Sequence, residues 1–183
     1  MALFSITYPF EIGQKAPSFT DLPGVDGNRY SLSTFDNKQV VVLIFMANRC
    51  PTARVYTERL KSIQSEYGPK GVQLVGVNSD NQYFFSVEAL SQMMGIAEER
   101  NYNFPYLKDE DQSVAKSYGA LVTLHAFALD SQRRLRYRGR IDDSRDPTKV
   151  TVSDLKNALD DLLAGRAVRT PETRPFACSI EYF

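Results

Sequence analysis

The stretch Gln39-Val40-Val41-Val42-Leu43-Ile44-Phe45-Met46-Ala47-Asn48-Arg49-Cys50-Pro51 decides the fold. Gln39 to Met46 is a nearly continuous β-branched, aliphatic and aromatic run, the pattern of a strand buried on both faces. A short loop carrying Cys50 follows at once. Tyr56, Leu60, Ile63 and Tyr67 then recur at helical spacing, with Gly68 as the stop. A second buried run covers Val72 to Asn78. Strand, helix and strand in this order predict a parallel pair joined by a right-handed crossover.

Upstream, the Asp26-Gly27 turn and the alternating stretch Tyr30 to Phe35 read as an entry strand or hairpin. Downstream, Ser86 to Arg100 reads as a helix, Phe104 to Leu107 as a short apolar piece, and Ser113 to Tyr118 as a helix stopped by Gly119. Ala126 to Leu129 and Leu135 to Ile141 form strands around the turn at 130–132. A last helix runs from about Val152 to Ala164, with Thr151 and Asp154 as a capping box. The chemistry of this order is one α/β domain over residues 1–165, followed by a tail, residues 166–183, packed on the same domain.

Bulk composition narrows the function classes. The chain has 183 residues with Lys plus Arg and Asp plus Glu both at 22, so its formal charge is zero. No basic excess marks a nucleic-acid binder. The series Arg133, Arg134, Arg136, Arg138 and Arg140 reads as the wet face of an edge strand. No stretch approaches the roughly 18 apolar residues of a membrane span. Met1 to Phe10 lacks the pattern of a secretory leader, which makes the cytoplasm the expected location. Two cysteines, Cys50 and Cys178, are too few for a disulfide scaffold.

Cys50 is the candidate nucleophile. A cysteine between a buried strand and a helix meets the unpaired amides and the positive dipole end of that helix. Both favour a thiolate, so the thiol should be acidic. Pro51 suits the first helical position. Arg54, one turn on, and the adjacent Arg49 are candidates to hold the sulfur's charge. The competing reading is a buried structural cysteine with solvated arginines. The cluster Asp142, Asp143 and Asp146 lacks a calcium-loop spacing and reads as a surface turn and cap. Tyr8, Phe10, Phe84, Phe85, Met93 and Met94 read as core or as a partner surface.

Several separated pieces resemble the alkyl hydroperoxide reductase and thiol-specific antioxidant (redoxin) group of the thioredoxin superfamily. They are Ala16-Pro17-Ser18-Phe19, Asn48-Arg49-Cys50-Pro51, Tyr106-Leu107-Lys108-Asp109, Tyr118-Gly119-Ala120, the stretch 137–143 and Cys178-Ser179-Ile180. The resemblance implies a thioredoxin-like fold: a central mixed sheet flanked by helices, with an N-terminal extension and the C-terminal tail. It implies a peroxiredoxin-like thiol oxidoreductase in which Cys50 attacks a peroxide or disulfide, with no metal or organic cofactor. Cys178 or an external thiol reductant, such as a thioredoxin-like protein, would then restore it. It also places Thr123 and His125 on the loop facing Cys50, the histidine as a base or ion-pair partner.

Two departures accompany the resemblance. Close relatives have two cysteines at the reactive loop, and peroxiredoxins a threonine three positions before theirs; here Ala47 stands there. The group also has a cis-proline after the threonine, whereas Leu124 follows Thr123. A non-proline cis bond costs about 2.5–4 kcal/mol, so a trans bond is expected. These losses predict weak peroxide turnover at best. They equally feed the alternative, a degenerate thioredoxin-fold module that binds a protein partner.

Overall fold

A computed structural model describes residues 7–183; Met1 to Ile6 of the stretch read for a leader lie outside the described residues. The first elements are a small hairpin, β1 (Leu22–Pro23) and β2 (Arg29–Tyr30). Then come β3 (Val40–Met46), α1 (Pro51–Tyr67), β4 (Val72–Asn78), α2 (Leu90–Glu99), β5 (Tyr106–Lys108) and α3 (Ser113–Tyr118). The chain closes with β6 (Ala126–Leu129), β7 (Leu135–Gly139), α4 (Asp154–Leu163) and the tail. The main sheet has the order β5-β4-β3-β6-β7.

All seven residues of β3 are buried, as expected of a central strand covered on both faces. It pairs parallel with β4, Val40 opposite Val72 through Met46 opposite Asn78, and antiparallel with β6. β4 and β5 are parallel, and β6 and β7 antiparallel, so the sheet is mixed. Alternation along β3 feeds two cores. Val42, Ile44 and Met46 meet Tyr56, Leu60 and Tyr67 of α1 and Leu155 and Leu159 of α4. Val41, Leu43 and Phe45 meet Phe10, Phe19, Tyr118 and Phe127 on the other side. No helix of the described residues is long and apolar enough to cross a membrane.

The structure corrects several local expectations. Tyr30 to Phe35 is not one strand: β2 ends at Tyr30, and Leu32–Phe35 forms a 3-10 turn with Leu32 and Phe35 buried. Gly68 does not reverse the chain after α1; it stays helical, and the turn comes at Gly71, whose φ is +93°. Ser86 to Arg100 is broken at the extended Ala89 into a 3-10 turn, Ser86–Glu88, and α2. Thr151 caps nothing, since its hydroxyl donates to Asp143 and α4 begins at Asp154 behind Ser153. Phe10 and Met93 are core, whereas Phe84 and Met94 are exposed.

The arginine series is not a uniformly wet face. Arg133 donates to the carbonyls of Phe35 and Lys38. Arg138 is buried on β7, donating to the carbonyl of Phe10 and to the carboxylates of Glu11 and Glu172. An edge strand admits such burial because the N-terminal segment and the tail both cover it. Asp142 is likewise buried rather than a surface turn, accepting from the Tyr56 hydroxyl at 2.6 Å and Arg59 at 2.7 Å.

The tail runs along β7 and then crosses to the loop before β6. Glu172 bridges Arg138 in parallel, and Ser179 bridges Val122 antiparallel. Gly139 permits the close approach: at its φ of +151°, a Cβ would lie 2.1 Å from the Thr173 hydroxyl.

Candidate active site

Cys50 is the N-cap residue of α1, with extended dihedrals and Pro51 directly after it. Its side chain is 1% exposed. The loop that carries it is fixed by a buried carboxylate. Glu88 accepts the Asn48 amide and the Arg49 amide, both at 2.8 Å, and the Asn78 side-chain amide at 2.7 Å. Asn48 reaches back to the Val87 carbonyl and accepts from the Tyr106 hydroxyl. Beside this network the Lys108 ammonium donates to the Asp80 carbonyl at 2.8 Å. Burial pushes Lys108 below the usual lysine value, opposed by the charges of Glu88, Asp80 and Asp109.

Thr123 sits opposite Cys50. Its hydroxyl lies 3.3 Å from the Cys50 sulfur and 2.7 Å from the Cys178 carbonyl. A hydroxyl has one proton, so it donates to one acceptor at a time. The tail brings the second sulfur here as well: the Thr123 amide donates to the Cys178 carbonyl at 2.9 Å. The Thr123 hydroxyl thus spans the Cys50 sulfur and the Cys178 backbone, and Cys178 packs against the core cluster that contains Cys50, both cysteines being free.

Electrostatics differ between the two sulfurs. Burial opposes charge on Cys50. The Cys178 thiol, the Thr123 hydroxyl and the Ala53 amide outweigh it, and hold Cys50 below the ordinary thiol value. Cys178 is raised, by burial and then by the hydrogen bond and charge of Cys50, while the Thr52 amide and Arg49 pull the other way. The free amides of the first turn of α1 thus divide between two sulfurs, the arrangement in which a helix N-terminus stabilises an anion.

The remaining candidates are elsewhere. Arg54 is exposed on α1, in a surface cleft of about 440 Å³ shared with Thr57, Lys61 and Arg100. Arg49 turns to the tail, with its Nε 2.5 Å from Asp80 and a terminal nitrogen 3.1 Å from the Ser179 carbonyl. His125 is corrected outright as a base for Cys50. Its ring centre lies 4.4 Å from that of Phe127, tilted by 38°, and Phe127 belongs to the core on the sheet face opposite that of Cys50. Burial, and then the charge of Arg138, push it down to about 3, so it is neutral near pH 7.

The turn between these residues explains the split. The His125 amide closes onto the Val122 carbonyl at 3.3 Å, and Leu124 holds φ at +62°. That region costs a side-chain-bearing residue about 1–2 kcal/mol. Burying the leucine side chain returns about 1.5–3 kcal/mol. The Leu124 amide also donates to the Phe45 carbonyl at 2.6 Å. The Thr123–Leu124 peptide is trans, as its residue types predict.

Sequence reasoning missed Glu88, Asp80 and the clasp formed by Arg49. Lys108 and Tyr106 fell within a recognisable motif, but Glu88 carries no signal, because two of its three partners are backbone amides about forty residues away and the third is the Asn78 side chain.

A family model described as Redoxin matches residues 11–159, which include the Cys50 loop and stop short of Cys178. A putative peroxiredoxin bcp of Coxiella burnetii is 29% identical over 119 residues, 64% of this chain and 72% of that protein. Peroxiredoxin Bcp of Escherichia coli strain K12 is 31% identical over 111 residues, 61% of this chain and 65% of that one. A hypothetical protein from Sinorhizobium meliloti 1021 superimposes with a TM-score of 0.89 at 35% identity, covering 95% of this chain and 96% of its own. An uncharacterized conserved protein from Geobacillus kaustophilus does so at 0.88 and 36%, covering 95% and 93%.

Proposed function

This chain belongs to the Redoxin family, a thiol-based oxidoreductase lineage with a thioredoxin-like fold, and on that premise we propose that it is a two-cysteine thiol oxidoreductase working through Cys50 and Cys178. The observation that carries the reading is the convergence of a buried sulfur at a helix N-terminus and the cysteine delivered by the tail, both held by Thr123, with the Cys50 thiol held below its ordinary value. The Cys50 thiolate attacks a peroxide oxygen. The O–O bond breaks, the distal oxygen leaves as an alcohol or water, and Cys50 becomes a sulfenic acid. The Cys178 sulfur then attacks the Cys50 sulfur, forming an internal disulfide and releasing water. An external thiol reductant of thioredoxin-like type returns both thiols. We place this cycle in the cytoplasm, where reducing partners prevail.

Ala47 offers no hydroxyl to a peroxide, and Arg54 faces solvent. Peroxide turnover is therefore slow, and a disulfide substrate is served by the same pair. Equimolar hydrogen peroxide on the reduced protein should remove two hydrogens and yield one peptide pair linking Cys50 to Cys178. Cys178→Ser should instead leave a Cys50 sulfenic acid that dimedone captures. If neither product forms with peroxide or with a small disulfide, the site is catalytically silent and the fold serves binding alone.

A further inference from the structure

We propose that Arg49 and Asp80 are positioning residues for the second step of this cycle: together they clasp the tail backbone and seat the Cys178 sulfur against Cys50. The inference rests on the two-cysteine reading above and concerns how the resolving thiol is held.

Arg49 is the residue before Cys50, so it belongs to the reactive loop. Its guanidinium is bound to the Asp80 carboxylate at 2.5 Å. The same guanidinium donates to the Ser179 carbonyl at 3.1 Å, one residue after Cys178. The other oxygen of Asp80 accepts the Glu181 amide at 2.5 Å. Two successive tail peptides are thus gripped by one ion pair, which itself stands on the loop and on the end of β4. Asp80 is 2% exposed, and its backbone is fixed by the Asn78 side chain and Lys108. The guanidinium carbon sits over the Phe85 ring, 4.2 Å from the ring centre. A planar fork on a carboxylate is a directional grip that a lysine cannot reproduce.

Other contacts hold the tail further along. Gln112 bonds Glu181 and Phe183, and the Tyr182 hydroxyl donates to the Ala120 carbonyl. These would keep the tail docked without the clasp. The Thr123 amide and hydroxyl hold the Cys178 carbonyl from the facing loop, whereas Arg49 ties the next residue, Ser179, to the cysteine loop itself; its loss frees the tail on the Cys50 side while the tail end stays down.

The chemistry of the step gives the clasp a second use. While Cys50 is a thiolate, burial and the neighbouring sulfur hold Cys178 protonated. Oxidation to a neutral sulfenic acid removes that charge. The Thr52 amide and the Arg49 guanidinium, which lower the Cys178 thiol, are then opposed by burial alone. The Cys178 sulfur attacks the Cys50 sulfur, the S–O bond breaks, and the departing hydroxide takes up the proton that Cys178 released.

The test separates the two steps in the full-length chain. Reduced protein is mixed with a peroxide in the presence of dimedone, and disulfide and dimedone adduct are quantified by mass spectrometry. Wild type should partition mainly to the disulfide. Arg49→Gln and Arg49→Lys should each shift at least tenfold toward the adduct. In a Cys178→Ser background the rate of Cys50 oxidation should change less than twofold on adding either substitution. Tyr182→Phe, which frees a remote tail contact, should partition like wild type. Full recovery by Arg49→Lys, or a Tyr182→Phe shift as large as that of Arg49→Gln, would overturn the clasp, because charge alone or general tail docking would then suffice. Absence of disulfide in wild type, with dimedone capturing all of Cys50, would overturn the two-cysteine reading itself, and the clasp with it.

Discussion

Thr123 and His125 are separated by one residue and serve opposite sides of the sheet. Thr123 points its hydroxyl at Cys50, among the residues packed under α1. His125 points into the other core, against Phe127 and Tyr8, with Nδ1 accepting the Leu121 amide at 3.4 Å. In a regular strand, residues two apart share a face. Here the left-handed Leu124 breaks the alternation. The side with Thr123 has polar partners and tunes a sulfur. On the side with His125, the buried Nε2 has no hydrogen-bond partner among the described residues. The same short loop therefore makes one residue part of the chemistry and the other part of the core.

Acid sensitivity is a large expected sign of this contrast. Burial, then Arg138, depress His125 from 6.5 to about 3. The unfolded chain takes up a proton at this residue below pH 6.5, while the folded chain does so only near pH 3. Its contribution to stability is complete above pH 6.5 and is lost as pH falls from there toward 3. Between pH 7 and pH 4 the loss is on the order of 3 kcal/mol. Urea denaturation of wild type and His125→Asn at both pH values measures it: the stability gap between them should narrow, or reverse, at pH 4. A gap independent of pH would mean that the imidazole is already charged or wet in the folded state. The alkylation rate of Cys50 should be unchanged in this variant.

Leu124→Pro probes the turn between the two sides. Proline fixes φ near −65° and has no amide hydrogen. Leu124 needs φ of +62° and donates to Phe45. The substitution introduces the residue that the redoxin resemblance leads one to expect, yet here it should destabilise by about 3 kcal/mol or more, read as a fall in the thermal midpoint. A variant as stable as wild type would show that the loop readily gives up the left-handed turn at residue 124, and would predict faster peroxide turnover.

The framework was legible because it rests on local patterns. The run 40–46, the four apolar positions of α1 and the Cys50-Pro51 helix start each carry a period or a cap that has one structural solution. What was not legible depends on the third dimension. Arg138 looks like any other basic residue on an edge strand until the tail and the N-terminal segment cover it. The even spacing of arginines cannot report a cover supplied by residues 10 and 172. His125 was misplaced because the resemblance fixes a loop but not the direction of each side chain, which Leu124 alters. Cys178 was readable as a second sulfur, while its contact with Cys50 follows from strand-like pairing of Ser179 with Val122 that no local pattern announces.

The smallest expected effect is the most specific to the chemistry. Thr123→Val keeps the size of the side chain and removes the hydroxyl. The Cys178 carbonyl retains the Thr123 amide at 2.9 Å, so the tail keeps a direct anchor at this point. Cys50 retains the Cys178 thiol and the Ala53 amide but loses one donor to its charged form. A hydrogen bond to a charged group contributes about 1.5–3 kcal/mol. The Thr123 proton is shared with a competing carbonyl acceptor, so a net loss near 1 kcal/mol is expected, or about a fivefold fall in thiolate population below the thiol's midpoint. Iodoacetamide alkylation followed against pH should show the Cys50 midpoint moving up in Thr123→Val and returning in Thr123→Ser, which restores the donor. An unmoved midpoint would assign the hydroxyl wholly to the Cys178 carbonyl, leaving the acidity of Cys50 to its neighbouring sulfur and the helix amides.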